Sequence, residues 1–223
     1  MLNVCIDLEN WQDVINIAEG NENVYASVGV HPSEAGKNKL TIKDLTSRAQ
    51  KEKVIAIGET GLDYHYGKDN KVKQQEFFRQ HIRAAIKANL PLIIHSREAR
   101  EDTIAIMREE NAGEISGVMH CFTENWQMAK QALDLGFYIS FSGIITFKNA
   151  QDLREVAKKT PLERTLIETD APYLAPEPYR GKPNEPLYVK FVAEKLAEIH
   201  GLSHEEIARH TYENFFDLFE KAA

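Results

Sequence analysis

Val54-Ile55-Ala56-Ile57-Gly58-Glu59-Thr60-Gly61-Leu62-Asp63-Tyr64 is the stretch on which the reading of this chain turns. Its first four residues are apolar without alternation. Such a run suits a strand covered on both faces, as strands of parallel sheets are. A carboxylate then stands between two glycines, where backbone or a ligand can approach closely. The pattern predicts a buried strand over residues 54–58 that delivers Glu59 at its C-terminal end.

The same pattern recurs along the chain. Short runs rich in Val, Ile or Leu predict further strands over residues 3–6, 24–30, 92–94, 117–119, 138–142 and 165–167. Helical spacing lies between them: Trp11, Val14, Ile15 and Ala18; then Phe78, Ile82, Ala85 and Ile86; then Trp126, Ala129 and Leu133, with Gly136 placed to end that helix. Leu187, Phe191, Val192, Leu196 and Ile199 form a later stripe. Ser203-His204-Glu205-Glu206 fits a capping box for the last helix. These stripes read as core packing. Residues 171–186 hold Pro172, Pro176, Pro178, Pro183 and Pro186 and form the longest irregular stretch. Its length and its place after a strand point to function.

The 223 residues read as one domain spanning 1–223, since α/β barrels commonly reach this length. With 43% hydrophobic and 27% charged residues, the chain can build a core without disulfides or metal staples. Cys5 and Cys121 stand in apolar runs and are expected as buried, reduced thiols. No apolar stretch approaches the ~20 residues of a membrane helix. Met1-Leu2-Asn3-Val4-Cys5-Ile6-Asp7 lacks the plan of a secretory signal, so a cytoplasmic protein without membrane contact is expected. The net charge of -7 argues against a broad basic surface for duplex DNA. Local arginine, histidine and metal would have to handle any phosphate ester.

The strand ends carry the chemistry. Asp7, His31, Glu59, His95 and His120 each follow a predicted strand, and Glu168-Thr169-Asp170 follows the last. In barrel enzymes that end of the strands holds the catalytic groups. One histidine after a strand is usually structural, and one aspartate is usually a helix cap. A whole set at equivalent positions predicts a metal site. Imidazole mixed with carboxylate suits zinc, manganese or iron, and a carboxylate such as Glu59 can bridge two ions.

Seven motifs in order resemble the TatD family of metal-dependent hydrolases. They are Gly29-Val30-His31-Pro32, Ile57-Gly58-Glu59-Thr60-Gly61-Leu62-Asp63-Tyr64, Ile93-Ile94-His95-Ser96-Arg97, Met119-His120-Cys121-Phe122, Ile167-Glu168-Thr169-Asp170-Ala171-Pro172-Tyr173-Leu174, Pro178-Tyr179-Arg180-Gly181-Lys182 and Asn184-Glu185-Pro186. The resemblance implies a (β/α)8 TIM barrel and a deoxyribonuclease of the 3'-5' exonuclease type. It implies one or two divalent ions (zinc, manganese or magnesium), no organic cofactor, and DNA as partner. By position, Glu59 is similar to the bridging ligand, His95 and His120 to ligands of one ion, and Asp170 to a ligand of the other. Asp170 would also take the proton of the metal-activated water, with Glu59 as the second catalytic group. His31, Arg97 and Arg180 resemble substrate-phosphate contacts. Tyr64 and His65 extend the third loop, with a rim role and ordinary loop packing as the two readings.

The chain departs from the family at its start. Most members open with a strand ending in His-x-His, and no His-x-His occurs here. The first predicted strand matches the family's second, so seven strands are expected in an N-terminally truncated barrel. That arrangement predicts unpaired strand edges, and with them domain swapping, dimerisation through the gap or poor stability; it also predicts one firmly bound ion with weakened catalysis. The competing readings are a hydrolase of another ester or amide on the same site and a catalytically impaired remnant.

Overall fold

The computed structural model of the chain describes residues 1–37 and 39–223. Among them, seven strands alternate with eight α-helices, and the residues gather in two compact units, 1–118 with 218–223, and 119–217.

In the first unit, β1 (Leu2–Asn3), β2 (Tyr25–Val28), β3 (Val54–Asp63) and β4 (Leu92–Arg97) pair in chain order, each parallel to the next. Parallel neighbours need crossovers. Those are α1 (Trp11–Glu19), α2 (Ile42–Ala49) and α3 (Lys71–Ala88). Then α4 (Arg100–Glu109) leads to β5 (Gly117–Met119). All ten residues of β3 are buried. Against β3, α3 lays Phe77, Phe78, His81, Ile82 and Ala85. Each large apolar side chain so buried contributes about 1.5–3 kcal/mol.

Five of the strands differ in their bounds from the sequence reading, β1 and β3 with a clear physical reason. The first strand stops at Asn3 because its continuation makes single bonds instead of a ladder. The Cys5 N–H donates to the Ser27 hydroxyl, and the carbonyls of Cys5 and Ile6 accept from the Glu59 and His31 amides. The third strand runs on to Asp63 because Glu59 does not end it. Between Ile57 and Thr60, β3 holds one residue more than the facing stretch Leu92 to Ile94, which is a bulge.

In the second unit, α5 (Trp126–Asp134) precedes β6 (Tyr138–Phe141). The crossover α6 (Gln151–Lys159) leads to β7 (Thr165–Ile167), parallel to β6. Next come α7 (Val189–His200) and α8 (His204–Leu218). The expected capping box opens α8: Ser203 Oγ accepts from the Glu206 amide at 3.2 Å, and Glu206 accepts from the Ser203 amide at 2.8 Å. Asn125 caps α5 by accepting from the Met128 amide. The core stripe of α7 is Val192, Ala193, Leu196 and Ala197, whereas Leu187 precedes the helix and is 67% exposed. The 171–186 stretch is irregular as expected, and Asn184 ties it together: its amide donates to the carbonyls of Thr169 and Tyr173 at 2.7 and 2.6 Å. Both cysteines are free thiols. Cys5 is buried as expected, while Cys121 is only half-buried, its backbone turned into the left-handed region at φ 43°.

Candidate metal centre

The bulge in β3 is what aims Glu59. An extra residue in one strand re-aims a side chain and loosens the ladder locally. Three features of this chain hold it there. Ser27, fully buried on β2, donates to the Gly58 carbonyl at 2.6 Å while accepting the Cys5 amide at 3.0 Å. The Glu59 amide donates to the Cys5 carbonyl at 2.8 Å. Gly61 has φ +130°, and a Cβ there would lie 2.0 Å from the His95 carbonyl oxygen, so only glycine lets β4 come this close.

His31, Glu59 and His95 therefore converge in the first unit. Glu59 Oε1 is 3.1 Å from His95 Nδ1 and 3.5 Å from His31 Nε2, and the two rings meet edge-on at 4.7 Å. The two histidines are not equivalent. His31 Nδ1 takes the Ser33 amide at 3.1 Å and lies 2.8 Å from the Ser33 hydroxyl, which in turn donates to Glu34 at 3.2 Å. Its Nε2 faces Glu59, whereas His95 turns Nδ1 to Glu59 and Nε2 to Asp63. Behind His31, the Val30 amide donates to Nε2 of the fully buried His81 at 3.0 Å.

Asp63 lies on the far side of His95. It is 2% exposed, its Oδ2 is 3.2 Å from His95 Nε2, and its Oδ1 accepts the His65 and Tyr66 amides, both at 2.9 Å. Burial works against its charge, but the hydrogen bonds from His95 and the Tyr66 amide outweigh it, aided by the positive charges of His95, when protonated, and Arg97. The carboxyl is held down at about 2.

The second unit carries a cluster of its own, His120, Glu168 and Asp170. His120 Nδ1 is 2.8 Å from Glu168 Oε1, and its Nε2 is 3.7 Å from Asp170 Oδ1. Burial pushes the Glu168 carboxyl up, yet the neighbouring His120 and the hydrogen bonds from Ser140 and the Cys121 amide bring it below its ordinary value. Its Oε1 is buried and takes no aligned hydrogen bond among the described residues. Asp170 and Cys121 both have positive φ, 60° and 43°. Non-glycine residues held there cost of order 1 kcal/mol or more and cluster at functional sites.

The donors suit a divalent cation. Tetrahedral ligands at about 2.0–2.1 Å from one ion stand about 3.3 Å apart. Glu59 Oε1 to His95 Nδ1 (3.1 Å) and His120 Nε2 to Asp170 Oδ1 (3.7 Å) bracket that spacing. The structure thus brings Glu59 and His95 together in one unit, and His120 and Asp170 together in the other. It adds Glu168 and Asp63, to which the sequence reading gave no role of their own. Their signal was present in the motifs: Asp63 alternates with Gly61 on β3, and Glu168 is two residues before Asp170. The arginines expected at substrate are exposed. Arg97 ends β4 with its guanidinium 4.8 Å over the Tyr66 ring, and Arg180 stands 4.3 Å over Phe147. Of the rim pair, Tyr64 is buried and donates to Asp102 at 2.6 Å, and His65 pairs with Glu98 at 2.7 Å.

The profile of TatD-related DNases matches residues 1–220. The chain belongs to the TatD family. YcfH, a metal-dependent hydrolase of Escherichia coli (strain K12), is 48% identical over 218 residues, covering 98% of this chain and 82% of YcfH. The solved structure of YJJV, a TatD homolog from Escherichia coli K12, is similar with a TM-score of 0.92 at 29% identity, covering 98% of this chain and 85% of YJJV. A TatD-family hydrolase of Entamoeba histolytica follows with a TM-score of 0.86 at 25% identity, covering 98% of this chain and 83% of that one. This TatD-family chain is a metal-dependent hydrolase with the family's α/β, TIM-barrel-like fold, here of seven strands as the sequence predicts. Among the described residues, no helix is long and apolar enough to cross a membrane.

Proposed function

We propose that this TatD-family hydrolase is a deoxyribonuclease that removes nucleotides from a DNA end in the 3'-to-5' direction. The observation that carries the reading is the ligand spacing of Glu59 with His95, on the strand that ends in the exposed Arg97. His95 and Arg97 are two residues apart on β4, so both point to one face.

A bound divalent cation, zinc, manganese or magnesium, supplies Lewis acidity and an activated water. The rest falls to the chain. Glu59 and His95 would hold a cation in the first unit, and His120 and Asp170 one in the second. Asp170 accepts the proton of the attacking water, and Glu59 supplies a second carboxylate to the reaction. His31 donates from Nε2 to a phosphate oxygen, and Arg97 and Arg180 neutralise the phosphate charge. Residues 1–223 work as one domain in the cytoplasm. Met1 and Ile6, 58% and 51% exposed beside β1, would be covered by pairing with a second copy. Sedimentation at rising concentration tests that point, and a monomer throughout rejects it.

Hydrolysis of 3'-labelled DNA with each metal, compared between the native chain and Asp170→Asn, tests the main reading. Equal activity in both would reject it. A second reading, hydrolysis of a smaller ester or amide, draws support from the net charge of -7, which repels a polyanion. A substrate panel at high and low salt separates the two.

A further inference from the structure

We infer that Asp63 is a positioning residue: it takes the Nε2 proton of His95 and so dedicates His95 Nδ1 to the metal. The inference rests on His95 as a metal ligand and is independent of which ester is cut.

Asp63 has little freedom. Its backbone is clamped by the buried side chain of Gln74, which donates to the Asp63 carbonyl at 2.9 Å and accepts the Asp63 amide at 2.8 Å. One carboxylate oxygen, Oδ1, is committed to the amides of His65 and Tyr66. Those groups only donate, so Oδ1 is an acceptor and carries no proton. The other oxygen, Oδ2, faces His95 Nε2 at 3.2 Å. A neutral imidazole has one proton, and the carboxylate draws it to Nε2. The lone pair is then left on Nδ1, which looks at Glu59 Oε1 across 3.1 Å. With the ring proton held on Nε2, a divalent cation between Nδ1 and Glu59 Oε1 takes the place that a hydrogen-bonding proton would otherwise fill. Carboxylates behind metal-binding histidines fix ring and tautomer in this way, and losing one weakens metal binding about 10–100-fold.

The same carboxylate pins the backbone at His65 and Tyr66. The orientation of His95 and the path of the adjoining loop are therefore set by one buried group. Asp63→Asn separates these duties. Its side-chain carbonyl can still accept both loop amides, but its amino group now faces His95 Nε2 and donates. The ring proton must then move to Nδ1, where it blocks the cation.

The test uses the full chain labelled with 15N-histidine and loaded with zinc, with His95 assigned by a His95→Gln variant. Long-range proton–nitrogen spectra of the native chain should show His95 Nε2 protonated and Nδ1 on zinc. Zinc affinity of Asp63→Asn, measured by chelator competition, should fall about 10–100-fold, with the thermal midpoint of the metal-free protein little changed. Zinc on Nε2 of His95, or native affinity in Asp63→Asn, overturns the role of Asp63. A His95 ring untouched by zinc overturns the metal reading of His95 as well. Should Asp63→Asn fail to fold, the native spectrum alone decides.

Discussion

Acidification should destabilise this protein through one buried histidine. His81 on α3 is fully buried, and both ring nitrogens are used: Nε2 accepts the Val30 amide at 3.0 Å, and Nδ1 donates to the Phe77 carbonyl at 2.7 Å. A proton added to Nε2 would meet a donor instead of an acceptor, in a fully buried site. Burial accordingly lowers the His81 pKa to about 4, with the Phe77 carbonyl only partly offsetting it. The unfolded chain takes up the proton near 6.5, while the folded ring stays neutral until about 4. Between those values the unfolded state binds more protons, so stability rises with pH through that window. The contribution is complete above about 6.5 and lost by about 4. The shift of about 2.5 units, at 1.36 kcal/mol per unit, comes to about 3 kcal/mol. Urea unfolding across pH 7 to 4, for the native chain and for His81→Gln, isolates this from other carboxylates. Gln offers one acceptor and one donor but does not titrate. The native-minus-variant difference should shrink by about 3 kcal/mol as pH falls. Parallel curves for the two proteins would refute the reasoning.

Three further outcomes are expected. Ser27→Ala leaves the Cys5 amide without its acceptor and removes a donor from the Gly58 carbonyl, which should cost about 2–4 kcal/mol by urea unfolding and weaken zinc binding through Glu59. Gly61→Ala places a methyl 2.0 Å from the His95 carbonyl oxygen at φ +130°, so a loss of about 3 kcal/mol or more is expected in the same assay, together with weaker zinc binding. Dialysis against a chelator should abolish hydrolysis, and restoring zinc at about a hundred times its Kd should return roughly 2.7 kcal/mol of stability, read by calorimetry.

How much of the fold and the site is legible in the sequence depends on the distance over which each signal acts. The unbroken apolar runs at residues 54–57 and 165–167 marked buried strands, because a strand covered on both faces has no polar side to show. The Ser203–Glu206 cap was readable too, since its partners are three residues apart. The buried stripe of α7 lies part of a turn from the one its spacing predicts, because local periodicity cannot say which flank meets the core.

The residue types at the strand ends, His31, Glu59, His95, His120 and Asp170, belong to the sequence alone, and with them the kind of chemistry and the family. The direction of each side chain does not. Glu59 is aimed by a bulge that exists only because β3 and β4 run with unequal spacing, held by Ser27 and by the close approach at Gly61. The different surroundings of His31 and His95 arise from Ser33, which reaches one ring, and Asp63, which reaches the other. Such assignments need partners 32 residues apart in the chain, as Asp63 and His95 are, brought within 3.2 Å, and only folding supplies that.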